Sequence, residues 1–433
     1  MSRPVVATLT LGCKLNQAES QAFGRQLQAA GCDVIDRPAP ADAYLINTCT
    51  ITHVADRKAR RLIRMAKRLA PDAPVVVTGC YADWAADQIR RQTGAERVID
   101  NSAKQEAPAA LLALLDLSTR LSQPASPPPT RHPTPGRTRA FIKIQEGCDD
   151  VCAFCIVPAV RGRERARPID EIVREAQTLE AAGALEIVLT GTQPGAYGRD
   201  RDDGTNAARL LETLLAQTNL PRIRYSSIQP QDVSDEFLRQ WEDGRLCRHF
   251  HLALQSGSNR VLRRMRRRYD TKDFALAVER VRAAVPGAAI TTDLIAGFPA
   301  ETAVEHDASM AFAREIEFAA VHVFPYSARP RTTAGLLEDD VAPQIKRERV
   351  GALRSLAESG TARFRSALVG SVQPILIEAR GERECWMGLT DSYVPVELTA
   401  PAVPDLSNRL LPVRIVATGN KRPSGALRGC MLG

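Results

Sequence analysis

Short runs of apolar and β-branched residues alternate with longer amphipathic stretches over the first quarter of the chain. Residues 5–10 predict a strand and helix-forming sequence follows over 17–30, while the runs at 43–47 and 74–78 predict two more strands, each followed by helical sequence. A strand-then-helix rhythm of this kind is typical of a parallel sheet covered by helices. We therefore predict an α/β domain over residues 1–118.

A proline-rich segment follows this domain. Proline lacks the backbone donor and clashes with helical geometry, so residues 119–138 predict an interdomain linker. From residue 139 the strand-then-helix rhythm returns for six units, which predict a curved parallel sheet, a partial (βα)6 barrel, over 139–367. The predicted strands are 139–145, 185–190, 222–227, 249–255, 288–295 and 319–324, and the predicted helices include 169–182, 207–217, 270–284 and 303–315.

The last segment has a different pattern. After a charged helical stretch at about 341–367, short alternating runs at 374–378, 393–398 and 411–417 predict a small β-barrel over 370–433. The predicted fold class is therefore α/β, with an N-terminal parallel-sheet domain, a central partial barrel and a small C-terminal β-barrel.

Composition narrows the class of protein. With 44% apolar and 25% charged residues, the 433-residue composition argues against bulk disorder and against a polytopic membrane protein. No run reaches the roughly 18 apolar residues of a membrane span, and the N-terminus lacks a signal-peptide core. We therefore expect a cytoplasmic protein with reduced thiols and no membrane partner. The net charge of +8 suits a nucleic-acid partner without establishing one.

Three cysteines lie close together directly after the first predicted barrel strand. Cys148, Cys152 and Cys155 form a C-x3-C-x2-C motif. Three thiolates on one loop can hold a 4Fe-4S cluster and leave its fourth iron open for a substrate or cofactor. The alternative is a structural zinc site with a remote fourth ligand, although no fourth cysteine or histidine lies nearby in the sequence.

A second set of cysteines is spread over the N-terminal domain. Cys13, Cys49 and Cys80 each follow a predicted strand. Because the carboxyl ends of parallel strands meet at one edge of a sheet, these three are expected to converge and to hold a second cluster. The alternative is that each is a small buried residue. The remaining cysteines show no such pattern and are expected to be ordinary core or surface residues: Cys32, Cys247, Cys385 and Cys430.

The cysteine motif, with Phe154 before its last cysteine, resembles the signature of the radical S-adenosylmethionine (SAM) superfamily. The segments 8–17 (TLTLGCKLNQ), 47–50 (NTCT), 79–82 (GCYA) and 158–162 (PAVRG) resemble the methylthiotransferases of that superfamily, and the last domain is similar to a TRAM domain, an RNA-binding β-barrel. The resemblance implies two 4Fe-4S clusters and SAM as cofactors. One SAM would methylate a sulfur species on the second cluster, and another would supply the radical that activates the acceptor carbon.

The resemblance also implies SAM contacts at the carboxyl ends of the barrel strands. They would come from Phe154, Gly191, Ser227 and Gln255, with Asp293 less clearly placed. The chain departs from the family pattern at Gln193-Pro194, after the second barrel strand, and at Ala159, where an aromatic residue is common.

Within the family, the LGCKLNQ form is similar to the branch that adds a methylthio group to C2 of N6-threonylcarbamoyladenosine at position 37 of tRNA. That branch implies tRNA and an electron donor of the flavodoxin or ferredoxin type as partners. Isopentenyladenosine in tRNA and a ribosomal protein side chain stay open as alternative substrates, as does an RNA-binding protein whose metals are only structural. Basic runs at 57–64, 161–167 and 263–268 are candidates for contacts with RNA phosphates, and 161–167 is the best placed because it follows the cysteine motif.

Overall fold

The computed structural model describes residues 3–117, 138–380, 385–399, 405–419 and 426–431. The segment predicted to be a linker, 119–138, lies outside these residues except for Thr138. Within the described part of the chain, no helix is both long and apolar enough to cross a membrane.

The N-terminal part is a five-stranded parallel sheet in the order β2-β1-β3-β4-β5. Its central strands β3 and β4 are buried throughout because helices cover both faces of the sheet. The elements are β1 (Val5–Thr10), α1 (Lys14–Ala29), β2 (Asp33–Ile35), β3 (Ala43–Thr48), α2 (His53–Leu69), β4 (Val75–Gly79), α3 (Cys80–Thr93), β5 (Arg97–Val98) and α4 (Ala107–Leu114).

The central part carries the predicted parallel strands in two four-stranded sheets. Their orders are β7-β6-β8-β9 and β10-β11-β12-β13, and the predicted strand 222–227 is broken at Ser226 into β9 and β10. The strands are β6 (Arg139–Glu146), β7 (Arg165–Ala166), β8 (Glu186–Gly191), β9 (Arg222–Tyr225), β10 (Ser227–Ile228), β11 (His249–Leu252), β12 (Ala289–Ala296) and β13 (Ala320–Pro325). The helices are α5 (Val157–Arg161), α6 (Ile169–Ala181), α7 (Ala207–Gln217), α8 (Asp235–Arg239), α9 (Asn259–Arg264), α10 (Thr271–Ala284), α11 (Ala303–Ile316) and α12 (Pro343–Ala367).

Helix α1 joins the N-terminal sheet to the barrel. Ala18 packs against Phe141 of β6 and Val188 of β8. The side-chain amide oxygen of Gln21 accepts a hydrogen bond from the Phe141 backbone N–H at 2.8 Å. The cysteines at the strand ends of the sheet are thereby brought next to the loop that follows β6.

The C-terminal part is a closed five-stranded barrel in the order β14-β15-β16-β18-β17, which confirms the predicted fold class. The strands are β14 (Val372–Arg380), β15 (Cys385–Leu389), β16 (Pro395–Thr399), β17 (Leu410–Thr418) and β18 (Leu427–Met431). The buried guanidinium groups of Arg222 and Arg224 donate hydrogen bonds to backbone carbonyls of the turn between β15 and β16, such as that of Thr390 at 2.7 Å from Arg222 Nη2. This turn therefore closes the amino-terminal end of the larger barrel.

Candidate metal centres and the adjoining cavity

The first cysteine set, which we call the loop triad, consists of Cys148, Cys152 and Cys155 after β6. The loop turns sharply at Gly147, whose φ is +78° and where an added Cβ would lie 1.8 Å from the Arg163 carbonyl oxygen. Glycine is therefore required at this position. All three thiols line one cavity of about 230 Å³ at the carboxyl ends of the barrel strands. We call it the cysteine cavity.

The second set, the sheet triad, consists of Cys13, Cys49 and Cys80 at the ends of β1, β3 and β4. The backbone at Gly12 (φ +117°) passes close to Cys49, because an added Cβ at this position would lie 3.2 Å from Cys49 Sγ. This close approach lets Cys13 converge with Cys49. The thiols of Cys13, Cys49 and Cys80 are near enough to interact electrostatically. Topology thus brings together three residues that are far apart in sequence.

The donor chemistry of both triads fits an iron–sulfur cluster better than a single zinc ion. Tetrahedral zinc with Zn–S bonds of about 2.3 Å needs sulfurs roughly 3.8 Å apart. In neither cysteine triad do all three sulfur atoms lie within 4.8 Å of one another. Among the described residues, the group that meets this distance is His251, Asp293 and His322. Three sulfurs spaced more widely around an open position suit the corners of a larger cluster.

Burial keeps several of these thiols protonated in the absence of metal. Desolvation raises the pKa of Cys49, Cys148 and Cys155 to about 12. Because the thiolate is the metal ligand, loading either triad must release protons.

Each triad has an arginine hydrogen-bonded to one sulfur. Arg161 Nε donates to Cys80 Sγ at 3.1 Å, and Arg267 Nη1 donates to Cys152 Sγ at 3.0 Å. Such donors withdraw charge from a ligating sulfur and orient it. Neither role was predicted from the sequence, because each arginine lies in a basic run that was a candidate for contacts with RNA.

Arg161 is buried in an ionic network that joins the N-terminal part of the chain to the barrel. Its Nη1 donates to Glu19 Oε1 at 2.8 Å and to Glu146 Oε1 at 2.9 Å, and its Nη2 donates to Asn16 Oδ1 at 2.7 Å. Lys104 also pairs with both carboxylates. Burial alone would raise the pKa of Glu19, but Arg161 and Lys104 hold it well below its usual range.

The contacts of some arginines count against RNA contacts from parts of two basic runs. In the 161–167 run, Arg161 is buried and Arg167 pairs with Glu175 at 2.8 Å, whereas Arg163 and Arg165 are exposed. In the 263–268 run, Arg263 and Arg266 are exposed, and three arginines bond to protein groups: Arg264 to Glu305, Arg267 to Gln229 and Cys152, and Arg268 to Asp150. The 57–64 run differs, because its residues on one face of α2 are exposed: Arg57, Lys58, Arg61 and Arg64.

Most of the residues predicted to contact SAM lie in the cysteine cavity. Phe154, Ser227, Gln255 and Asp293 line it. Gly191 instead ends β8, where an added Cβ would lie 2.8 Å from the Gln145 carbonyl oxygen. The residues that follow it, Thr192 and Gln193, line the cavity in its place.

Three polar residues of this cavity were not predicted from the sequence: Asp150, His251 and Arg267. Gln229, which follows a predicted barrel strand, also lines the cavity. Gln229 Nε2 donates to Asp150 Oδ2 at 2.7 Å, and Gln229 Oε1 accepts from Arg267 Nη2 at 2.7 Å. The alternation of His249 and His251 with apolar residues in β11 is a sequence signal that could have indicated inward-facing polar side chains.

Comparison with known proteins gives matches over both large parts of the chain. Residues 5–100 match the model of the uncharacterized protein family UPF0004, and residues 142–313 match the radical SAM superfamily. The chain is 37% identical over 431 residues to the "threonylcarbamoyladenosine tRNA methylthiotransferase MtaB" of Bacillus subtilis, covering 96% of this chain and 94% of the relative.

Two further relatives cover similar shares of the chain. A protein of the same name from Thermotoga maritima is 33% identical over 399 residues, covering 91% of each chain. The "tRNA-2-methylthio-N(6)-dimethylallyladenosine synthase" of Sorangium cellulosum is 34% identical over 459 residues, covering 96% of this chain and 92% of the relative.

Among solved structures, the fold is similar to that of the radical S-adenosylmethionine methyltransferase TsrM from Kitasatospora setae, solved with cobalamin and a [4Fe-4S] cluster. The TM-score is 0.56 with 16% identity, and the match covers 77% of each chain. This likeness concerns the fold alone.

Proposed function

The chain belongs to the radical SAM tRNA methylthiotransferases, and from that membership we propose that it adds a methylthio group to C2 of N6-threonylcarbamoyladenosine at position 37 of tRNA. We further propose that it does so with two 4Fe-4S clusters, one on each cysteine triad, and with SAM. The observation that carries this proposal is the closeness of the two triads. Ile156, next to Cys155 of the loop triad, packs on Cys80 of the sheet triad.

The loop triad would hold the cluster that supplies the electron for reductive cleavage of SAM, and the sheet triad would hold the cluster that carries the sulfur to be transferred. The protein holds both ligand sets in place through the hydrogen bonds of Arg267 and Arg161 to sulfur. Cys155 and Cys80 are within electrostatic reach of each other, so clusters held by the two triads would lie close together.

The cysteine cavity offers polar groups suited to the amino acid and ribose parts of SAM. Ser227 and Gln255 present a hydroxyl and an amide at its wall, and Gln193 has a buried side-chain Nε2 without a hydrogen-bond partner. An unpaired buried donor is costly unless a ligand accepts from it. Phe154 adds an apolar surface beside the loop triad.

For tRNA, we propose the exposed basic face of α2 as a phosphate-binding surface. The helix begins shortly after Cys49, and its first turn contacts the barrel where His53 N–H donates to Ser327 Oγ. Arg57, Lys58 and Arg61 project from this helix into solvent. Guanidinium and ammonium groups on one face suit an RNA backbone next to the site. The reducing partner is proposed to be of the flavodoxin or ferredoxin type.

The substrate branch is tested by comparing the modified nucleosides of bulk tRNA from cells with and without this gene, using mass spectrometry. We expect loss of the methylthio form of threonylcarbamoyladenosine and accumulation of its unthiolated parent. Loss of the methylthio form of dimethylallyladenosine would instead favour the second candidate, which the relative from Sorangium cellulosum supports. Unchanged amounts of both methylthio nucleosides would refute both candidate substrates.

A further inference from the structure

A second cavity, which we call the barrel cavity, adjoins the cysteine cavity inside the barrel. It has a volume of about 380 Å³, and His251 lines both cavities. Its walls come from all three parts of the chain and include Lys14, His249, His322, Arg365 and Tyr393. A group that enters the cysteine cavity can therefore extend into this one.

The lining of the barrel cavity favours an anion. None of its thirteen lining residues is an aspartate or a glutamate, whereas Lys14 and Arg365 are cationic. Of its three histidines, His251 pairs with Asp293 of the cysteine cavity at 3.3 Å, and burial lowers the pKa of His249 and His322, so Lys14 and Arg365 supply the positive charge. The neighbouring cations have their own carboxylates: Arg224 pairs with Glu186, and Arg139 pairs with Glu378.

Lys14 differs from these arginines. Among the described residues, no carboxylate forms an ion pair with its ammonium group, whose direct contact is the ring of Tyr393, with the Nζ atom 5.2 Å from the ring centroid. Arg224 and Arg139 also lie over that ring, at 4.6 and 5.2 Å. A partly buried cation kept among other cations is stabilised when an anion binds beside it.

The position of Lys14 places this anion site close to the sheet triad. Lys14 directly follows Cys13, a member of the sheet triad, and begins helix α1. Apolar walls complete the cavity: Ala319, Ala320, Phe364 and Val394. The site therefore combines one unpaired ammonium with a small apolar chamber next to the reacting centre.

We propose that the barrel cavity binds the carboxylate of the substrate's threonylcarbamoyl group and that Lys14 is the specificity-determining cation. This inference rests on the proposed function, because threonylcarbamoyladenosine carries a carboxylate on its N6 substituent. The carboxylate pairs with the Lys14 ammonium, and the remainder of the threonyl group packs against the apolar walls. An uncharged N6 substituent would leave the ammonium unpaired and would bind more weakly.

The first test changes the substrate. Two anticodon stem-loop RNAs are compared on the reconstituted holoenzyme, one carrying threonylcarbamoyladenosine and the other its threonyl methyl ester. We expect the ester to raise both Kd and KM about 10- to 100-fold, the range of a charge-assisted hydrogen bond. This comparison needs no variant and so does not depend on whether a variant folds.

The second test changes the protein. Lys14→Met should weaken binding of the carboxylate RNA to the level of the ester RNA, and Lys14→Arg should restore part of the preference for the carboxylate. Iron content and thermal unfolding report whether each variant is folded and loaded. The matched control is Lys346→Met, because the Lys346 ammonium also lies over a tyrosine ring, at 5.3 Å from the Tyr326 centroid, but pairs with Asp339 outside both cavities. It should keep the full preference.

The outcomes separate the two proposals. A wild-type enzyme that modifies the carboxylate RNA but binds the ester RNA equally well would overturn the role of the cavity and leave the proposed function standing. Equal weakening of both RNAs by Lys14→Met would identify a backbone phosphate as the anion and would also overturn it. A wild-type enzyme that modifies only dimethylallyladenosine RNA would refute the proposed function itself.

Discussion

Arg161 Nε donates a hydrogen bond to Cys80 Sγ across 3.1 Å, so a residue that follows the loop triad holds a member of the sheet triad. The same guanidinium bonds to Glu19 and Asn16 of helix α1 and to Glu146 of the barrel. The two cysteine triads are therefore fixed relative to each other by one buried side chain. This relationship makes Arg161 a positioning residue for both parts of the site.

Replacing Arg161 should damage both stability and sulfur transfer. In Arg161→Leu, Glu19 and Glu146 lose their shared guanidinium, and we expect the free energy of unfolding to fall by about 3–5 kcal/mol. Urea denaturation followed by circular dichroism measures this fall. Arg163→Gln, two residues further along but 88% exposed and paired with Asp149, is the control and should leave stability nearly unchanged. Equal effects of the two changes would contradict the positioning role.

Substitutions in the two triads should separate SAM cleavage from methylthiolation. Cys152→Ala should abolish SAM cleavage and methylthiolation, because the loop triad loses a ligand. Cys49→Ala should abolish methylthiolation, retain SAM cleavage and lose about half of the bound iron. Iron analysis and chromatographic detection of the SAM cleavage product check both. Cys430→Ala removes an exposed cysteine outside both triads and should keep all activities. Full methylthiolation by Cys49→Ala would rule out the two-cluster mechanism.

The basic face of α2 should control tRNA affinity through phosphate contacts. Changing Arg57, Lys58 and Arg61 to glutamine should weaken tRNA binding and reduce the slope of log K against log salt by about 2–3, since each phosphate contact contributes roughly 0.9. Fluorescence anisotropy with labelled tRNA over a salt series measures the slope.

The control for this change replaces three exposed arginines on the outer helices of the barrel with glutamine: Arg174, Arg209 and Arg239. Those three positions should leave the slope unchanged. If these control substitutions reduced the slope as much as the α2 substitutions did, tRNA binding would depend on net charge rather than on the α2 surface.

Glu186 should make stability depend on pH in the acid range. Burial alone would raise the pKa of this fully buried carboxyl, but Arg224 and Arg222 lower it from 4.5 to about 2. A folded-state pKa below the unfolded one stabilises the protein above pH 4.5, and this stabilisation, about 3 kcal/mol, is lost as the pH falls toward 2.

Glu186→Gln should therefore be less stable than the wild type at neutral pH, with the difference shrinking below pH 4.5. Denaturant midpoints across the pH range measure it. Glu212→Gln, on an exposed position of α7, should follow the wild type throughout. A difference between wild type and Glu186→Gln that does not change with pH would contradict the assignment.

The order of strands and helices was predictable because it depends on local periodicity. The predicted strand at 5–10 coincides with β1, and the predicted helix at 207–217 coincides with α7. In contrast, β15 and β18 were missed, because their sequences, CWMGL and LRGCM, are short, contain glycine and lack clear alternation. Strand pairing across the small barrel defines them, and that pairing involves residues far apart in the chain.

The loop triad could be recognised from the sequence because its three cysteines lie within eight consecutive residues, and the repeated strand-then-helix pattern indicated the α/β class. The sequence did not indicate that Arg161 and Arg267 bond to sulfur, or that Lys14 lines a cavity with no carboxylate among its lining residues. Burial and ion pairing depend on which distant segments pack together. A basic residue looks the same in the sequence whether its partner is water, a phosphate or a buried thiol.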